Sequence, residues 1–228
     1  MNIAIVLAAG KGVRMKNHEI PKAFIDVKGK PLVYYCLATF QECSLIDKIA
    51  IVVPNDYFDD AIQYHDTYGF NKIKHIVIGG NTRQQSVCNA LHAIKAEEND
   101  IVLIHDSARP LVDERIIVDS IKCVKKYGAA STCIPSIDTI ITSKSGNKVD
   151  SVIERKETYS EQTPASFRYS LILKAHEYAL DDKVANASDD VQLVRRLGVD
   201  VGMVLGDKKN FKVTTEDDLN YLKAIMIK

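Results

Sequence analysis

Net charge is the first thing missing from the 228 residues: thirty basic side chains balance thirty acidic ones. No global field exists to hold a polyanion such as DNA, so any phosphate site must be a local cluster, and the balance argues against nucleic acid as a partner. Long hydrophobic runs are missing too. No apolar stretch approaches the roughly 20 residues that span a bilayer, and the N-terminus enters an apolar run without a basic leader, which points to a cytoplasmic protein with no membrane partner. Cysteine is scarce and scattered: Cys36, Cys43, Cys88, Cys123 and Cys133 stand singly with no C-x-x-C pair, the pattern of reduced packing residues rather than disulfides or metal ligands. The sequon Asn186-Ala187-Ser188 is expected to stay unmodified.

Several catalytic signatures are absent as well. There is no G-x-S-x-G elbow for a hydrolytic serine. The turn "LAAGKGVRM" lacks the Gly-Lys-Ser/Thr of a Walker loop, and Met15 occupies the place of the third glycine in a dinucleotide fingerprint. Hydride transfer therefore ranks low.

What is present is a substantial apolar content, 46%, arranged in alternation. Short β-branched runs ("NIAIVLA", "KIAIVV", "KIKHIVI", "DIVLIHD") are each followed by a helix-length segment: Pro31 to Phe40, Tyr57 to Tyr68, Arg83 to Ala96 and Glu114 to Tyr127. This predicts an α/β fold, a Rossmann-like, mostly parallel sheet flanked by helices, within one domain over residues 1–228. From Ser136 the pattern changes to two extended stretches joined by a Ser-Gly-Asn turn, a hairpin arm over about 136–157. Helices are expected around Tyr169 to Ala179 and Asp189 to Leu197, then a strand "DVGMVL" and a last helix opened by "TTEDDL", where Thr215 and Asp218 resemble a capping box.

Ligand turns of such a sheet gather at the carboxyl ends of its strands. Three qualify: "LAAGKGVRM", "IGGNTRQQS" and "IHDSARP". The first adds Arg14 and Lys22, cations suited to a triphosphate and its departing pyrophosphate. The third places Asp106 where a carboxylate can hold Mg²⁺ on a nucleotide, with Arg109 three residues on. His105, between an apolar strand and a turn, reads as a packed structural residue. The acids Asp189-Asp190 read as a helix start, with the Ser188 hydroxyl near the rim.

Six segments in order, "LAAGKGVRM", "PKAF", "GGNTRQQSVCNAL", "IHDSARP", "QTPASF" and "FKVTTEDDL", make the chain resemble, nearly end to end, the cytidylyltransferases that act on 2-C-methyl-D-erythritol 4-phosphate and their pentitol-phosphate relatives. The resemblance implies transfer of CMP from CTP to a small polyol phosphate, with Mg²⁺, in a homodimer whose hairpin arms reach the partner's site. It further implies that Ala8, Ala9 and Gly10 contact the nucleotide, and that Gly80, Asn81 and Ser86 recognise cytosine and ribose. Arg14, Lys22 and Lys212 would surround the triphosphate, Asp106 would orient the metal, and Arg109, Thr139, Arg155, Thr163 and Ser188 would sit around the acceptor. Ala23 and Ala165 stand where the family usually has Gln. The segments "IDTIITS" and "TYSEQTPASF" look closer to ribitol-phosphate enzymes, the nucleotide-side segments to erythritol ones, which leaves ribitol 5-phosphate as the alternative acceptor. An inactive nucleotide-sensing or scaffold protein is the alternative of another class, against which the intact Arg14, Lys22, Asp106 and Lys212 argue.

Overall fold

The structure, a computed structural model, describes residues 1–10, 20–182, 184 and 187–226; Arg14 and Asn186 therefore lie outside the described residues. Its elements run β1 (Asn2–Leu7), β2 (Asp26–Val27), β3 (Lys30–Pro31), α1 (Leu32–Glu42), β4 (Lys48–Val53), α2 (Phe58–Tyr68), β5 (Ile73–Ile78), α3 (Arg83–Ala93), β6 (Ile101–Asp106), α4 (Glu114–Tyr127) and β7 (Ala129–Pro135). They continue with β8 (Ile141–Thr142), β9 (Ser151–Val152), β10 (Tyr159–Arg168), α5 (Tyr169–Asp181), α6 (Asp190–Arg196), β11 (Gly202–Leu205) and α7 (Glu216–Ile225).

Seven strands form one sheet in the order β11-β7-β10-β6-β1-β4-β5. Neighbours are parallel except β10, which runs antiparallel to both β6 and β7. Because both faces are covered by helices, the central strands read as unbroken apolar runs. Their alternate side chains feed two cores: Ala4 and Val6 pack with α1, α2 and α4, while Ile3 and Ile5 pack with α3, α5 and α6. Fully buried side chains such as Phe40, Leu37, Leu91 and Phe167 each contribute about 1.5–3 kcal/mol of burial. The five cysteines are free thiols, of which Cys36, Cys43 and Cys133 are buried and Cys88 and Cys123 partly exposed.

The helices expected from periodicity form, with shifted ends. Helix α3 stops at Ala93, and α4 ends where Gly128 takes a left-handed φ of 83° and its N–H closes on Val124 O at 2.8 Å. Thr215 caps α7, with the Asp218 side chain accepting from the Thr215 N–H in return. The hairpin arm forms, but its ladder is only two residues on each side, turned at Gly146 with φ 75°.

A third, smaller core fixes what matters for the site. Ile25, Val27, Leu32, Val213, Leu219 and Leu222 pack together, so α7 and the β2–β3 ribbon hold the Lys22 and Lys212 segments against each other. No helix among the described residues is long and apolar enough to cross a membrane.

Candidate functional site

At the carboxyl ends of β1, β5 and β6 lies a cleft of about 440 Å³ lined by Ala8, Ala9, Gly10, Lys22, Gly80, Asn81, Arg83, Ser86, Asp106 and Lys212, among others. The three turns named from sequence thus meet on one rim, joined by the segment that precedes α7. Two close approaches shape the wall formed by the Ala8–Gly10 and Gly79–Asn81 loops. A Cβ on Gly79 would lie 2.3 Å from the Ala9 Cβ, so this glycine lets the two loops touch, and one on Gly80 would lie 2.3 Å from Gln85 Cγ at the start of α3. The Ser86 hydroxyl accepts from the Gly80 N–H at 3.0 Å and donates to Thr82 O at 2.9 Å. Thr82 caps α3 by accepting from Gln85 N–H at 3.1 Å. The rim loop is therefore held by the helix it opens.

Asp106 sits between two cations. Lys212 Nζ lies 2.6 Å from Oδ2, and Arg83 Nε lies 3.4 Å from Oδ1. Burial pushes this carboxyl upward, but Arg83 and then Lys212 hold it well below the usual carboxylate range, so it stays ionised. Arg83 continues the chain: its Nη1 donates to Asp190 Oδ2 at 2.7 Å, and Asp190 Oδ1 meets His176 Nε2 at 3.1 Å. Asp190 and His176 are both 1% exposed. Burial alone would raise Asp190; Arg83 and His176 keep it below its ordinary value. Lys22, from the opposite wall, donates to Val213 O at 2.6 Å, which places the second lysine beside the Lys212 segment.

His105 is withdrawn from this chemistry. Fully buried, it meets Arg109 O at 3.0 Å through Nε2 and Thr163 Oγ1 at 3.0 Å through Nδ1, and burial lowers its pKa to about 4, leaving it neutral. The Thr163 hydroxyl also accepts from the Asp106 N–H at 3.1 Å, so one threonine braces both the Asp106 turn and the histidine.

The acceptor-side candidates are more dispersed. Arg109 donates to Asn210 O at 2.8 Å and Glu161 O at 3.1 Å, tying β10 to the 206–212 loop. Nearby Glu161 accepts from Ser131 Oγ at 3.0 Å, and burial, then the Asp189 charge, pushes its pKa up to about 7. The Ser188 hydroxyl donates to Asp189 Oδ2 at 2.7 Å. Thr139 and Arg155 pair with each other, Nη2 to Oγ1 at 2.8 Å, beside a hollow on the arm and not on the cleft wall. Ala23 lines the cleft and packs with one core while Ala165 packs with the other, so the two alanines do not share one hole.

Sequence reasoning missed Arg83 as a site residue. The signal was available: an arginine at the first helical position after a ligand turn faces that turn. Its carboxylate partners, 23 and 107 residues away, left no local trace. Asp189 is the helix cap read from sequence, accepting from Gln192 N–H at 2.7 Å, whereas Asp190 is a buried ion-pair partner. Among the described residues no group of three or more His, Cys, Asp or Glu side chains is clustered to cage a metal. Among the described residues Asp106 alone offers a cleft carboxylate, and a single carboxylate would suit a Mg²⁺ carried mainly by substrate phosphates.

Comparisons with known proteins agree with this geometry. The family model for 2-C-methyl-D-erythritol 4-phosphate cytidylyltransferase matches residues 2–228. A Clostridium novyi protein of that name is 42% identical over 227 residues, covering 99% of this chain and 96% of that protein. A Vibrio parahaemolyticus ribitol-5-phosphate cytidylyltransferase is 35% identical over 228 residues, with 99% and 96% covered. Among solved structures, 4-diphosphocytidyl-2C-methyl-D-erythritol synthase from Anaerococcus prevotii superposes with a TM-score of 0.86 at 28% identity, over 100% of this chain and 98% of that one. The Francisella tularensis cytidylyltransferase gives 0.83 at 28% identity, over 98% of each. A match that runs from the second residue to the last, on a sheet whose ligand rim carries the same ordered segments, shows that the chain belongs to the 2-C-methyl-D-erythritol 4-phosphate cytidylyltransferase family.

Proposed function

We propose that the chain transfers CMP from CTP to the phosphate of 2-C-methyl-D-erythritol 4-phosphate and releases pyrophosphate. The observation that carries this reading is the cleft's inventory among the described residues: Lys22, Arg83 and Lys212 with one ionised carboxylate, Asp106, while the adjoining His105 is buried and neutral. An acceptor phosphate oxygen is already ionised at neutral pH, so attack on the α-phosphorus needs no general base. One O–P bond forms as the bond to the β-phosphate breaks, and no proton is transferred. Such a site works by positioning and by positive charge placed where charge accumulates.

In this reading the Ala8-Ala9-Gly10 and Gly80-Asn81 loops with Ser86 hold the nucleotide, while Arg14, Lys22 and Lys212 meet the triphosphate. Asp106 would hold Mg²⁺, which when bound neutralises phosphate charge. Lys212, which now neutralises Asp106, would then turn to phosphate oxygens. Arg109, Thr163 and Ser188 belong to the acceptor side. Thr139 and Arg155 would complete the partner's site in a homodimer, consistent with an arm on which Ile137, Ile141 and Val152 are 63%, 54% and 63% exposed.

Ribitol 5-phosphate is the second acceptor to test, because the Vibrio relative named for it aligns with 99% of the chain. Pyrophosphate release measured with CTP, Mg²⁺ and a panel of polyol phosphates decides among the readings. The methylerythritol phosphate should give the highest kcat/KM; highest turnover with ribitol 5-phosphate would reassign the acceptor, and CTP binding without turnover on any acceptor would identify a sensor.

A further inference from the structure

Gln84 and Arg83 open α3 immediately after the turn that carries Gly80 and Asn81, yet their strongest bonds run elsewhere. Gln84 is 6% exposed and lies off the cleft wall. Its Nε2 donates to Val184 O at 2.7 Å, and its Oε1 accepts from Ala187 N–H at 2.9 Å. Arg83 Nη1 holds Asp190 at 2.7 Å. Three bonds thus join a single helical turn to residues on both sides of Ser188. A buried amide satisfied as donor and as acceptor, beside a buried ion pair, tolerates little displacement, since each group left unpaired keeps its full desolvation cost. The same turn anchors the nucleotide loop through Ser86 and Gly80.

We propose that the first turn of α3 is a brace that fixes the Ser188 segment at a set distance from the nucleotide loop, with Gln84 a positioning residue for the acceptor phosphate. The proposal rests on the acceptor-side placement of Ser188 given above. Gln84 touches neither substrate. Its two bonds make the acceptor end of the site rigid from behind, so that the Ser188 hydroxyl is presented without an ordering cost when the acceptor arrives. Arg83 does the same for Asp190 and, through its second contact, reports the position of Asp106.

Gln84→Ala removes both bonds while leaving every cleft-lining side chain in place. Acceptor KM is expected to rise roughly fivefold to tenfold, the loss of one or two hydrogen bonds, with KM for CTP within about twofold of wild type. Gln84→Glu keeps the volume and the acceptor for Ala187 N–H but sets a carboxylate oxygen against Val184 O, so its acceptor KM should rise at least as far as in the alanine variant. If the alanine variant fails to fold, the glutamate variant decides, and a wild-type acceptor KM there overturns the brace. Equal rises in both KM values, or a fall in kcat alone, would mean general loosening and also overturn it. Ser188→Ala, run in parallel, separates the causes. If it raises acceptor KM while Gln84→Ala does not, the brace alone is wrong. Should neither change it, the acceptor placement of Ser188 falls and takes the brace with it.

Discussion

Lys22→Met and Arg155→Met chains are expected to be inactive separately and active when mixed. Lys22 lines the cleft of its own chain, whereas Arg155 lies on the arm, engaged with Thr139 and away from that lining. An arm held by two residue pairs, with four aliphatic side chains more than half exposed, is marginal in water and needs a surface to pack on. If that surface is a second copy, each complete site takes Lys22 from one chain and Arg155 from the other. A mixed dimer then has one site carrying both substitutions and one carrying neither. Random exchange of equal amounts makes half of the dimers mixed, and one good site in each gives roughly a quarter of wild-type specific activity. The assay is pyrophosphate release after subunit exchange verified by native mass spectrometry of chains with different tags. No recovery after verified exchange would show that Arg155 acts within its own chain or not at all.

Lys22→Met should lower kcat by about a hundredfold, about 2.7 kcal/mol, while changing CTP affinity far less, because its charge matches the transition state better than bound substrate; steady-state kinetics beside calorimetric CTP titration measure the split. Asp106→Asn is expected to keep the fold and to shift the Mg²⁺ dependence of activity to higher concentration, since an amide is a poorer ligand for a hard cation; superimposable titration curves would leave Asp106 a turn-shaping role only. His105, lowered from 6.5 to about 4 by burial, binds a proton more readily unfolded than folded. Its contribution is therefore fully present above pH 6.5 and is lost as pH falls toward 4, up to about 3 kcal/mol. Urea unfolding of His105→Gln against wild type across that window should show a flatter dependence for the variant.

The parallel half of the sheet was legible because strands covered on both faces must be apolar throughout, and helices that cover one face must show a stripe. Strand β10 was not. Its sequence "YSEQTPASFR" begins exposed and becomes buried at Gln162, with a register shift between Gln162 and Ala165; neither a clean alternation nor an apolar run results, and proline in a strand is tolerated at such irregularities. That Gly10, Lys22 and Gly80 line one cleft was readable from glycines and a cation in turns after apolar runs. The Asp106–Arg83–Asp190–His176 chain was hidden because its members come from four separate elements, each with an ordinary local reason to be where it is. His105 shows the converse: a histidine beside the cleft carboxylate Asp106 that local context correctly marks as packing.

The contact between Gly79 and Ala9 restricts the routes open to this enzyme over time. There is room for one methyl group where the two loops meet, since a second would lie 2.3 Å from the first. A lineage can carry that methyl on either loop, but moving it requires passing through a sequence that has both or neither: one ancestor crowded, the other with a gap between the loops. The two positions are therefore expected to change as a pair or remain as they are, so the history of the first β-strand's turn is bound to that of a loop seventy residues later.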